Sequence, residues 1–271
     1  MTDNGNGEAP EGRGPSPISN AVAVLRCFSV DEPLLGVTDI AARVGLHKSS
    51  ASRILTTLES EGLVERDGPT RRYRLGLGII ALAGPLLADL DERRVAYPVL
   101  RELAELTGET CALLLWNGHE AVSVEQIPSR HQVKHTTTLG TRYATGLSAS
   151  VQVFLAAEPP ERVRGLLREG AVQLPATDDG ALAAYAERLA EASARGYAAN
   201  YGETSPEEVG LAAPVYDHRG TVVAAVLISA PRFRVSSEDL AVLGEQCAEA
   251  ARGVTRRLGG AVPAGEDTGE G

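Results

Sequence analysis

Between Thr38 and Leu75 the chain concentrates the side chains best suited to touching another polymer. His47, Lys48, Ser49, Ser50, Ser52, Arg53, Thr56 and Thr57 share one stretch with Ala51, Ile54, Leu55 and Leu58. The apolar set recurs at helical spacing, so one face of a helix is suited to burial and the other is left with small hydroxyls and cations. Hydroxyls permit close approach and bond phosphates or base edges, while Arg and Lys read guanine. Lys48 is one of two lysines in the chain, the other being Lys134. A second group of cations, Arg66, Arg71, Arg72 and Arg74, follows in a compact hairpin pattern. This set suits contact with double-stranded DNA, and the plainer alternative is a solvated face of a small helical subdomain.

The elements that must position these residues follow from the same stretch. Thr38 to Val44 reads as a Thr-capped first helix, Gly45-Leu46 as the turn, and His47 to Glu61 as a longer second helix stopped by Gly62. Leu63 to Gly68 and Arg71 to Leu75 read as a two-stranded wing. Upstream, Ser19 caps a further helix reaching Phe28. This is the order of a winged helix-turn-helix, whose second helix enters the major groove. The net charge of −10 opposes nucleic-acid binding. However, the acids crowd the termini and the stretches Asp89 to Glu92 and Glu203 to Glu208. Phosphate contact needs a local basic surface rather than a basic total.

At 271 residues the chain suits two modest domains. We expect a tail over 1–17, a DNA-binding domain over 18–75, a linker helix over 76–92, an effector-binding domain over 93–258 and a second tail over 259–271, both tails disordered. The Gly76 to Asp91 stretch is apolar enough to need a partner, most simply a second copy of the chain, with Pro85 kinking it. The expected class is α+β: winged helix, linker helix, then an antiparallel sheet with flanking helices. Its strands are expected over Glu109 to Trp116, Ala121 to Ile127, Gln132 to Thr138, Leu211 to Tyr216 and Thr221 to Ala230. Its helices are expected from Val95 to Gly108, from Gly146 to Ala157, after Pro159-Pro160, over Asp179 to Arg195, and from Ser236 or Ser237 to Leu258.

Cys27, Cys111 and Cys247 are scattered without ligand spacing, as buried thiols of a reduced compartment are. The first residues carry no signal-peptide pattern and no stretch is fit to span a bilayer, so a cytoplasmic location without membrane contact is expected. His131 and His135 stand four apart, but in an expected strand, where a solvated face is the bland reading and no metal is called for. No Ser-His-Asp arrangement, phosphate loop or carboxylate pair stands out, so neither an enzyme nor a cofactor is expected. An architectural DNA protein would not need the sheet domain. A ligand-binding protein whose winged helix contacts only protein would lack salt-sensitive DNA affinity.

Several separated fragments carry a resemblance: Asp39-Ile40-Ala41, Ser52 to Leu58, Tyr73-Arg74-Leu75-Gly76, Leu103 to Thr110, Arg195-Gly196-Tyr197, Glu203, and Gly210 to Val215. With their order and spacing the chain resembles the IclR family of bacterial transcription regulators from about Ser19 to Leu258. The resemblance implies a GAF-like C-terminal effector domain, assembly as a dimer or a pair of dimers on a palindromic operator, and sensing of a small organic or aromatic acid. It also implies an effector site on the sheet face formed by Thr145, Gly146, Leu147, Ser148, Asn200, Gly210, Leu227 and Ser229. Glu203 would hold the loop or accept from the ligand. The N-terminus of the helix expected from Gly146 would offer N–H groups to a carboxylate. Where the family often carries Ala-Thr-Ala-x-Gly-Lys-Ala, this chain has Ala144 to Ser150 without the lysine. Leu227 stands where a polar residue can occur, which favours a less polar ligand than a small keto acid. Trp116 and Tyr143 could wall an aromatic ring, although ordinary packing is the simpler reading.

Overall fold

Helix α1 (Pro17–Leu25) opens the described chain, with Pro17 in the first turn and the Ser16 hydroxyl accepting from the Ser19 N–H at 3.1 Å. Ser16, rather than the expected Ser19, is therefore its cap. The computed structural model describes residues 16–136 and 138–261 and divides into two units, Met1–Asp89 and Leu90–Gly271. The tails expected over 1–17 and 259–271 lie mostly outside the described residues. At their described edges they depart from expectation: Pro17 is helical, and the Gly259 and Gly260 N–H groups bond to the carbonyls of Arg256 and Thr255.

In the first unit, α2 (Val37–Val44) is capped at Gly36, whose N–H donates to the Asp39 carboxylate at 3.3 Å, so Thr38 lies inside the first turn. Gly45 makes the turn at φ 69°, a conformation glycine adopts without penalty. Helix α3 (Lys48–Ser60) follows, then β1 (Val64–Arg66) and β2 (Tyr73–Leu75), paired antiparallel. Leu35 adds a bridge to Tyr73. Val24, Ile40, Leu55 and Leu58 bury against one another. Each such side chain contributes roughly 1.5–3 kcal/mol.

Helix α4 (Gly78–Asp89) carries Pro85 and leaves Leu77 before it, and Ile80, Leu82 and Leu86 within it, more than 60% exposed. Its start is fixed by glycines. The Gly76 and Gly78 N–H groups bond to the carbonyls of Leu63 and Gly62 at 2.9 and 3.0 Å, and a Cβ on either glycine would fall 2.3–2.6 Å from the Gly62 oxygen.

The second unit runs α5 (Asp91–Thr107), β3 (Thr110–Trp116), β4 (Ala121–Ile127), β5 (Arg142–Tyr143), α6 (Ala149–Ala156), α7 (Pro160–Arg168), α8 (Asp179–Arg195), β6 (Ala198–Tyr201), β7 (Glu208–Tyr216), β8 (Val222–Pro231), a 3-10 turn and α9 (Asp239–Arg257). The sheet order is β5-β4-β3-β8-β7-β6, antiparallel throughout. Alternate residues face opposite sides. One side buries Leu113, Leu211 and Val226 against α5 and α9, and the other buries Ala112, Ala212 and Leu227 against α6 and α8. Helix α9 begins at Asp239 after Glu238, rather than directly at the expected Ser236 or Ser237, and Ser236 is tied to its first residue: the Ser236 hydroxyl accepts from the Asp239 N–H at 3.2 Å, and the Asp239 carboxylate accepts from the Ser236 N–H at 2.9 Å.

Two strand expectations change. Gln132 to Thr138 is no strand in its described residues, with Thr137 outside them, and Arg142–Tyr143 takes the position beside β4. Side chains claim the backbone of that loop instead. Thr110 donates to the His135 carbonyl at 2.6 Å, Lys134 to the Ser129 carbonyl at 3.0 Å and Arg234 to the Val133 carbonyl at 3.1 Å. Arg234 is itself held by a bidentate pair with the buried Glu109 at 2.6 and 2.8 Å. The other change is β6, an edge strand between Gly196 and Gly202 that the sequence reading omitted. Burial holds the Cys111 thiol up at about 12, and Cys247 is likewise pushed up.

Candidate nucleic-acid interface and effector site

Helix α3 presents its two faces as its spacing requires. Ala51, Leu55 and Leu58 are buried, whereas His47 at the cap and Lys48, Ser49, Ser50, Arg53, Thr56 and Thr57 are exposed, with Ser52 half-buried. Thr56 and Thr57 donate their hydroxyls to the Ser52 and Arg53 carbonyls at 2.9 and 3.2 Å, leaving their oxygens able to accept. Thr38 is also exposed, on the neighbouring helix.

The wing arginines divide into two pairs. Arg74 forms an ion pair with Glu65, and Arg66 lies 5.7 Å from the Tyr73 ring centroid with its Nε donating to the Arg71 carbonyl at 3.5 Å. Arg71 and Arg72 are exposed, and no side-chain partner holds them among the described residues. Arg71 adopts φ 57°, a conformation that costs a residue with a Cβ about 1 kcal/mol or more. The Asp67 carboxylate, accepting from the Thr70 N–H at 3.0 Å, ties the base of this turn.

In the second unit, strand register brings three of the positions expected to line the effector site, Asn200, Gly210 and Ser229, into one row with Thr110. Asn200, Gly210, Ser229 and Thr110 are successive partners across β6, β7, β8 and β3, a polar row one step beyond Leu227. This row faces α6, since a Cβ on Gly210 would meet Ala149, Asn200 and Leu227 at 3.9 Å. Asn200, Ser229 and Thr110 are almost fully buried.

The loop before α6 differs from expectation. The helix begins at Ala149, not Gly146, and the N–H groups of Gly146, Leu147 and Ser148 are already taken by the Gln173 carbonyl, the Thr145 hydroxyl and the Thr145 carbonyl. They are therefore not free to hold a carboxylate. Ser148 and Ser150 hydroxyls bond each other at 3.0 Å. Tyr185 of α8 donates to the Gly146 carbonyl at 2.7 Å, and burial pushes its own pKa up.

Glu203 binds Arg188 bidentately, both contacts at 2.6 Å, and this pairing pushes the guanidinium pKa further up. Asn200 accepts from the Glu203 N–H at 2.9 Å and donates to Thr204, so it ties the β6–β7 turn. Trp116 lies at the opposite end of β3, stacked on Phe154 at 5.3 Å and donating to Glu158 at 3.2 Å, so it walls no ligand at the polar row. Tyr143 sits half-buried on β5.

The sequence reading missed Arg188, Gln152 and Ser123. The Ser123 hydroxyl is buried and without a hydrogen-bond partner among the described residues. A cavity of about 860 Å³ beside Trp116, Glu158, Tyr197 and Arg252 was also not anticipated. Among the described residues no helix is long and apolar enough to cross a membrane, and no three His, Cys, Asp or Glu side chains gather as a metal cluster. His135 lies in the loop, 3.9 Å from Glu208.

Comparison with known proteins draws these two regions together. The family model for the C-terminal domain of bacterial IclR transcriptional regulators matches residues 85–256, and that for the IclR helix-turn-helix domain matches residues 17–68. The chain is 30% identical over 255 residues to the HTH-type transcriptional regulator BhcR of Paracoccus denitrificans, covering 92% of this chain and 89% of that one. A crystallised domain of an IclR-family protein is 64% identical, with a TM-score of 0.63 over 64% of this chain and 99% of that chain. A crystal structure of an IclR homolog from Microbacterium hydrocarbonoxydans, complexed with 4-hydroxybenzoate, matches with a TM-score of 0.72 at 28% identity, over 90% of this chain and 99% of that one. With an outward-facing recognition helix, an antiparallel sheet domain and both family domains matched in order, the chain belongs to the IclR family of bacterial transcriptional regulators, with an N-terminal DNA-binding winged helix and a C-terminal effector-binding domain.

Proposed function

We propose that this regulator binds a palindromic operator in the cytoplasm as a homodimer or tetramer and releases or engages it in response to an organic or aromatic acid. The observation that carries the reading is the outward face of α3, where Lys48 and Arg53 have no ion-pair partner among the described residues. Lys48, Ser49, Ser50, Ser52 and Arg53 enter the major groove, with Thr38, His47, Thr56 and Thr57 at its margins. Arg66, Arg71, Arg72 and Arg74 meet adjacent phosphates or the minor groove. Residues 18–75 form the DNA-binding part and 93–258 the effector part. The exposed leucines and isoleucine around α4 support 76–92 as a linker that pairs with a second copy.

The acid binds on the sheet face beside Thr145, Gly146, Leu147, Ser148, Asn200, Gly210, Leu227 and Ser229, with Glu203 holding the loop. The buried polar row and the likeness to the 4-hydroxybenzoate-bound homologue support this placement. Ligand binding shifts the population between DNA-competent and incompetent arrangements. The test is a salt titration of binding to the DNA flanking the gene against a random duplex of equal length. Flank-selective binding with a steep salt slope is expected. Weak, equal binding to both duplexes, with and without aromatic acids, would remove the DNA reading.

A further inference from the structure

Helix α8 holds both sides of the sheet-face site. On one side Tyr185 bonds the Gly146 carbonyl. One turn later Arg188 reaches both sides. Its Nε donates to Gln152 Oε1 at 3.0 Å, and the Gln152 Nε2 donates to the Leu147 carbonyl at 3.0 Å. Its Nη1 and Nη2 hold the two oxygens of Glu203, and Nη2 also donates to the Ala199 carbonyl at 2.9 Å. The guanidinium is thus directed at Glu203 and, through one amide, at Leu147, with Asn200 fixing the Glu203 backbone. Arg188 and Glu203 side chains remain 28% and 37% exposed. Glu203 can therefore move into water, and the mostly covered guanidinium it leaves then calls for another anion.

We propose that Arg188 is the anion-binding group of the effector site and that Glu203 is its resident stand-in, which an acidic effector displaces. The inference rests on the reading that the sheet-face site takes an acid, and it adds how that acid is recognised and how its arrival is felt. A ligand carboxylate that replaces Glu203 keeps the guanidinium bidentately paired, so the penalty of burying a lone anion does not arise. A neutral ligand gains nothing from the exchange. Release of Glu203 also removes the link from α8 to the turn between β6 and β7, leaving ties that include the Asn200 side chain, the Gly202 N–H to Glu208 carbonyl bond at 2.8 Å and the Arg232 N–H to Glu207 carbonyl bond at 2.7 Å. Site occupancy is thereby converted into loop freedom.

The test uses the full-length protein and calorimetric titration with benzoate, acetate and benzamide. Glu203→Gln removes the competing charge and keeps the shape. It is expected to bind at least one of the two carboxylates fivefold or more tighter than the unaltered protein, with benzamide unchanged. Arg188→Met is expected to lose that binding, and Arg188→Lys, which retains the charge, to recover part of it. Thermal unfolding checks that each variant is folded.

A merely structural ion pair predicts no gain, with Glu203→Gln binding a carboxylate measurably but no tighter than the unaltered protein does. That result overturns the exchange and leaves an acid-binding domain standing. Equal gains for benzoate and benzamide also overturn it, because loop loosening rather than charge would be responsible. If neither carboxylate binds Glu203→Gln, the exchange and the acid-site reading both fail, while the DNA titration stands on its own.

Discussion

Helices α3 and α6 use the same small hydroxyl residues for opposite purposes. In α3, Ser49 and Ser50 face solvent and Ser52 is half-buried, on a helix whose opposite side is buried. In α6, Ser150 and Gln152 are fully buried, and the first seven residues of the helix are enclosed. The α3 face is left ready for a partner that the chain does not supply. The α6 polar groups are answered internally, Ser150 by Ser148 and Gln152 by Leu147 and Arg188. A serine-rich helix is therefore a reading surface only when its apolar residues keep to one side. An apolar residue on every face marks a buried helix.

The sharpest way to break this contrast is Gln152→Leu. It leaves the Leu147 carbonyl and the Arg188 Nε without their partner inside the effector domain, and about 3 kcal/mol of stability should be lost. Denaturant unfolding of the full chain checks this, and a loss below about 1 kcal/mol would mean that water replaces the amide easily. On the α3 side, Arg53→Ala should leave folding unchanged and weaken operator binding by about 1–3 kcal/mol if Arg53 pairs with a base. Equal weakening on random DNA would move Arg53 to the phosphates.

Ser229→Ala should reduce the effector response by about 1 kcal/mol and spare ligand-free DNA binding. Loss of both would make Ser229 a core position only. The smallest effect is expected at the wing. Arg72→Ala should lower the salt slope by about one unit, whereas Arg74→Ala should change it less because Glu65 already holds Arg74.

The sequence was most legible where periodicity and caps coincide. Helix α8 runs from Asp179 to Arg195 between the Asp178 cap and Gly196, as read, and the α3 faces followed from spacing alone. It was least legible where side chains from distant segments replace a ladder. Residues 132–136 looked like a strand because their backbone partners, Thr110 and Arg234, lie far away in the chain. Strand β6 escaped notice because Ala-Ala-Asn-Tyr carries little of the β-branched signal. The row proposed for the effector was legible only through resemblance. Arg188 was not, since its partners sit at 152, 199 and 203 and no spacing encodes that meeting.

The glycine contact between Gly62, Gly76 and Gly78 sets a rule for building hybrids from this regulator. The carbonyl that follows the recognition helix is also the post on which α4 is seated, with no room for a β-carbon between them. If this DNA-reading module is moved into another regulator with the cut after Leu75, the recipient's residues replace Gly76 and Gly78, and any β-carbon there meets that post and lifts the helix away. The same transplant cut between Asp89 and Leu90, at the division between the two units, carries the joint intact. Regulators with exchanged operators and conserved ligand response should therefore be assembled at the second cut and not at the first.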